Sequence, residues 1–177
     1  MKIGIIWGSD TGDTEDVSVY IKKKLVNYSV DLIEISSAEE KDFISYDLLI
    51  LGLSTWYDGD LQSDWEIFFP NLDNIDFSGK NIAIFGLGDQ IVYDEYFVDG
   101  IGIVAKKIIE KKGNIIGYWS TDGYEFAESK ALFNKELFYG LALDECNQYE
   151  FTKDRVNRWL NQLDLDTVHV DGEIRIE

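Results

Sequence analysis

The chain has very little of several residue types whose presence would point to specialised chemistry. Among its 177 residues are one cysteine, one histidine, one proline and one methionine. The single cysteine, Cys146, excludes an internal disulfide and a thiolate metal cluster, which fits a reducing compartment. No apolar run approaches the roughly 20 residues of a membrane-spanning helix, and the first residues lack the pattern of a secretory signal. These absences predict a cytoplasmic protein.

Positive charge is also scarce. Sixteen Lys and Arg residues stand against 34 Asp and Glu residues, a formal net charge of −18. Such a surface repels nucleic acid and anionic membranes, so neither is expected as a partner. Simple solubility and steering toward a basic protein partner both remain open. A hydrophobic content of 45% over this length predicts one domain, residues 1–177, with its own core.

Apolar runs that alternate with helical patterns predict an α/β fold. Strands are expected at residues 2–8, 30–35, 46–53, 81–87 and 114–119. Helices are expected at residues 14–28, 96–112 and 152–163, with Gly113 as a C-cap and Thr152 as an N-cap. Strands that alternate with helices indicate a doubly wound parallel sheet with helices on both faces. Residues 120–140 have no clear place in this plan.

Ligands of such sheets bind at the carboxyl ends of the strands, where the winding direction reverses. Three loops lie at that edge: residues 9–14, 54–62 and 88–96. The first loop is rich in hydroxyl groups and reads Ser9-Asp10-Thr11-Gly12-Asp13-Thr14. Hydroxyls and free amides at a helix N-terminus suit a phosphate group.

Two common phosphate motifs do not match this loop. A Walker loop would have lysine after Gly12, where Asp13 stands, and the glycine spacing does not fit a dinucleotide fingerprint. The loop therefore predicts a mononucleotide phosphate held by neutral donors. Simple capping of the helix by these residues is the alternative.

The other two loops each carry an aromatic residue. Trp56 and Tyr93 fall at the predicted ligand edge, and two rings from neighbouring loops form a slot for a flat ligand. The alternative is that each ring packs on its own loop.

Five stretches together resemble one family, the long-chain flavodoxins, and enterobacterial forms in particular. They are residues 8–15, 55–59, 64–70, 88–93 and 140–145. The resemblance implies a flavodoxin-like three-layer α-β-α sandwich with a five-stranded parallel sheet of order 2-1-3-4-5. Flavodoxins are themselves an established example of this order, with FMN at the switch point. Residues 120–140 then correspond to the long-chain insertion, which interrupts the last strand.

The resemblance also implies the cofactor contacts. Ser9, Asp10, Thr11, Gly12, Asp13 and Thr14 would wrap the FMN phosphate, and Trp56 and Tyr93 would sandwich the isoalloxazine ring. The backbone around Tyr57 and Asp58 would face flavin N5, Asp89 would contact the pyrimidine edge, and Asp144 would lie near the ribityl chain. Ser54, Thr55, Gly59 and Gly88 complete the expected set. Asp13 stands where relatives commonly have Asn or Lys.

The implied function is a low-potential one-electron carrier that uses the semiquinone/hydroquinone couple of FMN. The electron donor would be an NADPH-dependent reductase of the flavodoxin/ferredoxin type, and the acceptors would be metalloenzymes. These partners would dock through their own basic surfaces, and this protein would act as a monomer. Crowded carboxylates would disfavour the anionic reduced flavin; they are Asp58, Asp60, Asp64, Asp89, Asp94, Glu95 and Asp144. A flip of the Tyr57–Asp58 peptide, eased by Gly59, would let its carbonyl accept a hydrogen bond from the protonated N5 of the semiquinone.

Nothing in the chain predicts catalysis. His169 is expected to be a surface residue of the C-terminal tail, and Cys146 to be an inert packing residue without a catalytic partner. The alternative function is an FMN-dependent NAD(P)H:quinone reductase, which shares the fold. A phospho-receiver domain is disfavoured because it needs an Asp at the end of the third strand and a Lys after the fifth, where Ser54-Thr55 and Ser120-Thr121 stand.

Overall fold

The computed structural model describes residues 1–163 and 165. Its main strands are β1 Lys2–Trp7, β2 Ser29–Glu34, β3 Leu48–Trp56, β5 Asn81–Leu87 and β6 Asn114–Ile116. Four short strands complete the set: β4 Asp60–Leu61, β7 Trp119–Ser120, β8 Leu137–Phe138 and β9 Leu141–Leu143. The helices are α1 Asp13–Lys24, α2 Ser63–Phe68, α3 Asp99–Glu110 and α4 Thr152–Gln162. His169 lies outside the described residues.

The central sheet is parallel and has the order β2-β1-β3-β5-β6. Its register pairs Ile3 with both Val30 and Leu48, and Leu48 in turn with Asn81. The two central strands are buried along their apolar stretches because helices cover both faces of the sheet. The expected fold class and strand order are therefore confirmed.

The last sheet position is filled by two separate pieces of chain. β6 and β9 both run parallel to β5, with Ile116 opposite Ala83 and Leu141 opposite Phe85. The predicted interruption of the fifth strand is confirmed, but the strand ends at Ile116 and not at residue 119. Gly117 turns the chain away with a φ of 77°. Beyond it, β7 pairs antiparallel with β8 inside the insertion.

Two helices are shorter than their sequence patterns predict. α1 stops at Lys24, where the Leu25 amide already bonds the Lys22 carbonyl in a tight last turn. α3 starts at Asp99, because residues 93–98 form successive tight turns that precede it. At its end, the Gly113 amide donates to the Ile108 carbonyl at 2.9 Å.

Both expected helix caps are wrong in detail. The left-handed residue after α3 is Lys112, with a φ of 69°, so Gly113 is not the capping residue. Gly113 is required for space instead, since a Cβ there would lie 2.4 Å from the Ile108 side chain. Thr152 is the first helical residue of α4, and its hydroxyl donates to Glu145 without capping the helix.

The predicted loop after the third strand is largely a β-hairpin. β3 continues through Trp56 and pairs antiparallel with β4, so that Trp56 faces Asp60. The hairpin carries the chain back toward α2, whose Trp65 is fully buried. No helix in the described part of the chain is long and apolar enough to cross a membrane.

Candidate functional site

A cleft of about 230 Å³ opens at the carboxyl edge of the sheet. Its lining residues are Thr11, Asp13, Thr14, Ser54, Thr55, Trp56, Tyr57, Leu87, Gly88, Asp89, Tyr93, Glu145 and Cys146. They come from the turn after β1, the hairpin after β3, the loop after β5 and the turn after β9. The sheet order places these four segments side by side, as the switch-point rule predicts.

The turn between β1 and α1 is closed by its own hydrogen bonds. The Gly12 amide donates to the Ser9 hydroxyl at 2.9 Å, and the Thr11 hydroxyl donates to the Asp13 carboxylate at 3.1 Å. Gly12 caps the helix with a φ of 101°, a conformation that favours glycine. The first amides of α1 have no intrahelical acceptors and carry a partial positive charge. This end of the cleft can hold an anion without a cationic side chain.

Gln62 supports the turn from below. Its fully buried amide donates to Asp10 at 2.9 Å and to Asp64 at 3.0 Å, and its carbonyl accepts from the Trp65 amide. A Cβ at Gly8 would lie 2.2 Å from the Gln62 carbonyl oxygen, so Gly8 is needed for this close approach.

Asp10 is held by α2 and not by the cleft. The Ser63 hydroxyl donates to its carboxylate at 2.7 Å. Partial burial raises the pKa of Asp10, but the hydrogen bonds from Ser63 and Gln62 outweigh it and lower the pKa overall. Asp10 therefore shapes the turn as an anion and does not line the cleft.

The aromatic walls are fixed to different degrees. Trp56 is half-buried at the end of β3, and its indole N–H donates to the Ser54 hydroxyl at 2.9 Å. Tyr93 is 40% exposed on the loop after β5. Neither ring belongs to the core. Both rings are available to a flat ligand, which favours the slot over the alternative of packing on their own loops.

The hairpin turn beside Trp56 has an unusual backbone. Tyr57 has a φ of 45° and Gly59 a φ of 91°, and the Gly59 amide donates to the Trp56 carbonyl at 3.1 Å. A left-handed conformation at a bulky residue such as Tyr57 stores strain of about 1 kcal/mol or more. A Cβ at Gly59 would lie 2.7 Å from the buried Asp99 carboxylate, so glycine is needed there for both conformation and space.

Asp144 organises the loops beside the cleft from within the core. The carboxylate is fully buried and accepts hydrogen bonds from the Gln90 amide, the Gln90 side chain and the Cys146 amide. Asn147 donates to it from its backbone and its side chain. Asp144 therefore does not line the cleft itself; Glu145 and Cys146, which follow it, do.

Asp89 ties the loop after β5 to the turn after β9. Its carboxylate accepts from the amides of Ile91 and Val92 and from the side chain of Asn147, all at 2.8–2.9 Å. Partial burial raises the pKa of Asp89, but these hydrogen bonds outweigh it, and the pKa lies below its ordinary value.

This lowered pKa predicts a pH dependence. A carboxyl with a lowered folded-state pKa stabilises the fold above the unfolded-state pKa, and the contribution is lost as pH falls through the folded-state value. The free energy of unfolding should therefore fall more steeply from pH 5 to pH 3 in the wild type than in Asp89→Asn. Urea unfolding of the wild type and of Asp89→Asn at pH 5 and pH 3 measures this. An equal loss of unfolding free energy between the two pH values in both proteins would contradict the prediction.

The insertion runs along the loop that carries Tyr93. The Glu125 amide donates to the Gln90 side chain at 2.6 Å, and the amides of residues 127 and 128 donate to the Asp94 carbonyl. Farther along, the Lys130 amide donates to the buried Asp99 carboxylate at 2.7 Å. This ladder joins the insertion to the whole segment from residue 90 to residue 99.

The turn after β9 adds negative charge that the sequence analysis missed. Burial and the neighbouring Asp13, Asp144 and Asp16 raise the pKa of Glu145, although its bond with Thr152 acts in the opposite direction. Burial and nearby carboxylates also raise the pKa of Cys146, which is exposed at the cleft and is not a packing residue. The strand-end rule would have identified both residues if the split fifth strand had been placed correctly.

Most of the residues expected from the sequence come together in this cleft. Those that line it are Thr11, Asp13, Thr14, Ser54, Thr55, Trp56, Tyr57, Gly88, Asp89 and Tyr93. Those that do not are Ser9, Asp10, Gly12, Asp58, Gly59 and Asp144. Apart from Asp58, which is exposed at the hairpin turn, the second group builds the turns that carry the first.

Comparisons with known proteins all point in one direction. The family model described as Flavodoxin matches residues 5–159. A flavodoxin from a Nostoc species is 50% identical over 162 residues, covering 92% of this chain and 95% of that protein. Flavodoxin 1 of Escherichia coli is 46% identical over 169 residues, covering 95% of each chain. The crystal structure of Fusobacterium nucleatum flavodoxin bound to flavin mononucleotide matches with a TM-score of 0.88 and 30% identity, covering 93% of this chain and 98% of that one.

Proposed function

The chain belongs to the flavodoxin family, and from that premise we propose that it carries single electrons on a non-covalently bound FMN held in the cleft. It is an electron-transfer protein and not an enzyme. The observation that best supports the cleft as the cofactor site is its composition. Two aromatic walls and a hydroxyl-rich helix N-terminus lie together there, and no Lys or Arg is among the described residues that line it.

The residues present fit FMN. Thr11, Thr14 and the first amides of α1 would hold the phosphate as neutral donors. Trp56 and Tyr93 would cover the two faces of the isoalloxazine ring and exclude water from them. Bound FMN supplies reversible one-electron chemistry, which none of the side chains in the cleft provides.

The protein surrounds this cofactor with negative charge. Asp13, Asp89 and Glu145 line the cleft, and the raised pKa of Glu145 reflects both its burial and the repulsion among neighbouring carboxylates. A fixed negative field disfavours any added electron that leaves an anion, most strongly where water is excluded. The carrier is therefore a strong electron donor with a low reduction potential.

The Tyr57–Asp58 peptide would face N5 of the flavin. Its carbonyl would accept a hydrogen bond from a protonated N5, and the strained φ of Tyr57 means that a change of turn conformation can release stored energy. Gly59 gives the turn the freedom to make that change. The role of this peptide rests on the proposed orientation of the ring.

The direct test is the cofactor itself. The purified protein should be yellow, should release FMN on denaturation and should accept reducing equivalents in two resolved steps under anaerobic titration. The alternative function, an NAD(P)H:quinone reductase, predicts consumption of NADPH in the presence of a quinone and no other protein. A colourless protein that binds no added FMN would overturn the proposal.

We also propose that the protein docks on basic redox partners in the cytoplasm, and the charge of −18 supports this proposal. Electrostatic attraction raises association rates by tenfold or more and is screened by salt. The second-order rate constant for electron transfer from a basic reductase should thus fall about tenfold between 50 mM and 500 mM NaCl. Stopped-flow measurements on a monomeric sample check this, and a rate indifferent to salt would contradict it.

The negative charge of Asp13 is expected to weaken FMN binding, so its removal should raise the affinity. Its carboxylate lies at the phosphate end of the cleft and bonds the Thr11 hydroxyl. Asp13→Asn keeps the acceptor and removes the charge, so FMN should bind roughly threefold to tenfold more tightly at low salt. Fluorescence quenching of FMN titrated with apoprotein measures this, and Glu15→Gln, in the same helix turn but outside the cleft, is the matched control.

A further inference from the structure

Both arginines among the described residues line one pocket that is separate from the cofactor cleft. The pocket has a volume of about 510 Å³ and lies between the first turns of α4 and the start of the insertion. It shares no lining residue with the cleft. Two aromatic residues, Trp119 and Phe151, line it beside Arg155 and Arg158.

Arg155 carries a buried charge that no carboxylate neutralises. Its side chain is 7% exposed, and within the described residues no carboxylate lies within 4.0 Å of it. One terminal nitrogen donates to the neutral Gln148 side chain at 2.7 Å; the other, Nη1, is buried without a hydrogen-bond partner in the described part of the chain. The guanidinium lies 4.2 Å from the centre of the Tyr124 ring, which offsets only part of the desolvation. A buried cation of this kind ordinarily has an anionic partner.

Two neighbouring features add positive potential at the same place, against the carboxylates of Asp122 and Asp154, which also line the pocket. Arg155 lies in the first turn of α4, where the helix dipole is also positive, so the two contributions add. Arg158, one turn later, is largely exposed and pairs only loosely with Asp154, at 3.7 Å. Its guanidinium lies 5.0 Å from the centre of the Trp119 ring, at the mouth of the pocket. Arg158 can therefore turn toward a bound group at little cost.

We propose that this pocket binds an oxyanion, either a carboxylate or a phosphate group. Arg158 supplies the accessible donors, and Arg155 supplies a fixed buried charge that holds the anion in place. The site is chemically opposite to the phosphate end of the cofactor cleft, which uses neutral donors. The two sites should therefore respond differently to the loss of one positive charge.

The test uses the FMN-loaded protein, so that the cleft is filled. Inorganic phosphate is titrated at constant ionic strength against NaCl, and acetate is titrated in a second series. NMR signals of the Trp119 indole N–H and of the arginine Nε–H groups report on the pocket. Saturable shifts with phosphate, acetate or both support the proposal and identify the preferred chemistry; linear shifts with both overturn it.

Three variants separate a site from general charge effects. Arg155→Met and Arg158→Gln should each weaken the saturable binding by about tenfold or more, the loss expected for one charge-assisted contact. Lys153→Gln makes the same change of net charge on α4 outside the pocket and should stay within about twofold of the wild type. Equal weakening by Lys153→Gln would overturn the proposal. If Arg155→Met does not fold, Arg158→Gln decides the outcome, because its side chain is exposed.

Discussion

Replacing Tyr93 with alanine is expected to weaken FMN binding by about tenfold to a hundredfold. Tyr93 is one of the two aromatic walls of the cleft, and its ring is 40% exposed. Stacking of a flat heterocycle on an aromatic side chain contributes about 1–3 kcal/mol, and each 1.4 kcal/mol is a factor of ten in affinity. Because so much of the ring faces solvent, its removal leaves no cavity in the core. Quenching of FMN fluorescence by apoprotein measures the dissociation constant.

Tyr93→Phe is the matched variant for this test. It keeps the ring and removes only the hydroxyl, so the dissociation constant should stay within about threefold of the wild-type value. The unfolding free energy of both apoproteins should remain close to wild type, since surface substitutions usually change it by less than about 0.5 kcal/mol. An alanine variant that binds FMN as tightly as wild type would contradict the slot, whereas a loss equal in both variants would assign the effect to the hydroxyl.

Asp144→Asn should cost about 3 kcal/mol of unfolding free energy. The fully buried carboxylate accepts hydrogen bonds from Gln90, Cys146 and Asn147. An amide offers only one acceptor atom and turns two N–H donors toward groups that also donate, which leaves buried donors unsatisfied. Urea unfolding of the apoprotein measures the loss. Affinity for FMN should fall as well, because the loops joined by Asp144 carry Asp89 and Glu145 into the cleft.

The control for this substitution is Asp154→Asn on α4. Asp154 is exposed and pairs loosely with Arg158, so the same chemical change there should alter the unfolding free energy by less than about 1 kcal/mol. Similar losses in the two variants would show that burial and hydrogen bonding of Asp144 do not determine its contribution.

Much of the fold could be predicted because the signals are local. The run from Leu48 to Leu53 and the run from Ile82 to Leu87 contain only apolar residues and glycine, and only strands buried on both faces need that pattern. The sequence predicts a loop at residues 54–62, and not the hairpin at Trp56, because the pairing of Trp56 with Asp60 involves two short stretches that carry no periodicity. The sequence predicts too long a fifth strand because Tyr118 and Trp119 continue its apolar run, whereas Trp119 pairs with Phe138 of β8, 19 residues farther on.

The site could be predicted only where the chain itself carries the chemistry. The hydroxyl-rich turn and the two aromatic loops are each one continuous stretch of sequence, and some residues of all three line the cleft. The role of Gln62 could not be read in this way, since its partners at Asp10 and Trp65 come from two different segments. The resemblance alone placed Asp144 beside the cofactor, whereas a tight turn directs its side chain inward and presents Glu145 and Cys146 at the cleft.

The two pieces of the split fifth strand lie along β5 as parts of one edge strand. Ile116 stands opposite Ala83 and Leu141 opposite Phe85, so the two pieces keep one register with a single residue missing between them, opposite Ile84. A chain in which one residue joined Ile116 to Leu141 would continue the same edge strand without moving β5. The 24 residues between them, 117–140, are in this sense an appendage to the architecture of the sheet. Their contribution lies instead in the hydrogen bonds that they donate to Gln90, Asp94 and Asp99, which support the loop carrying Tyr93 from its outer side.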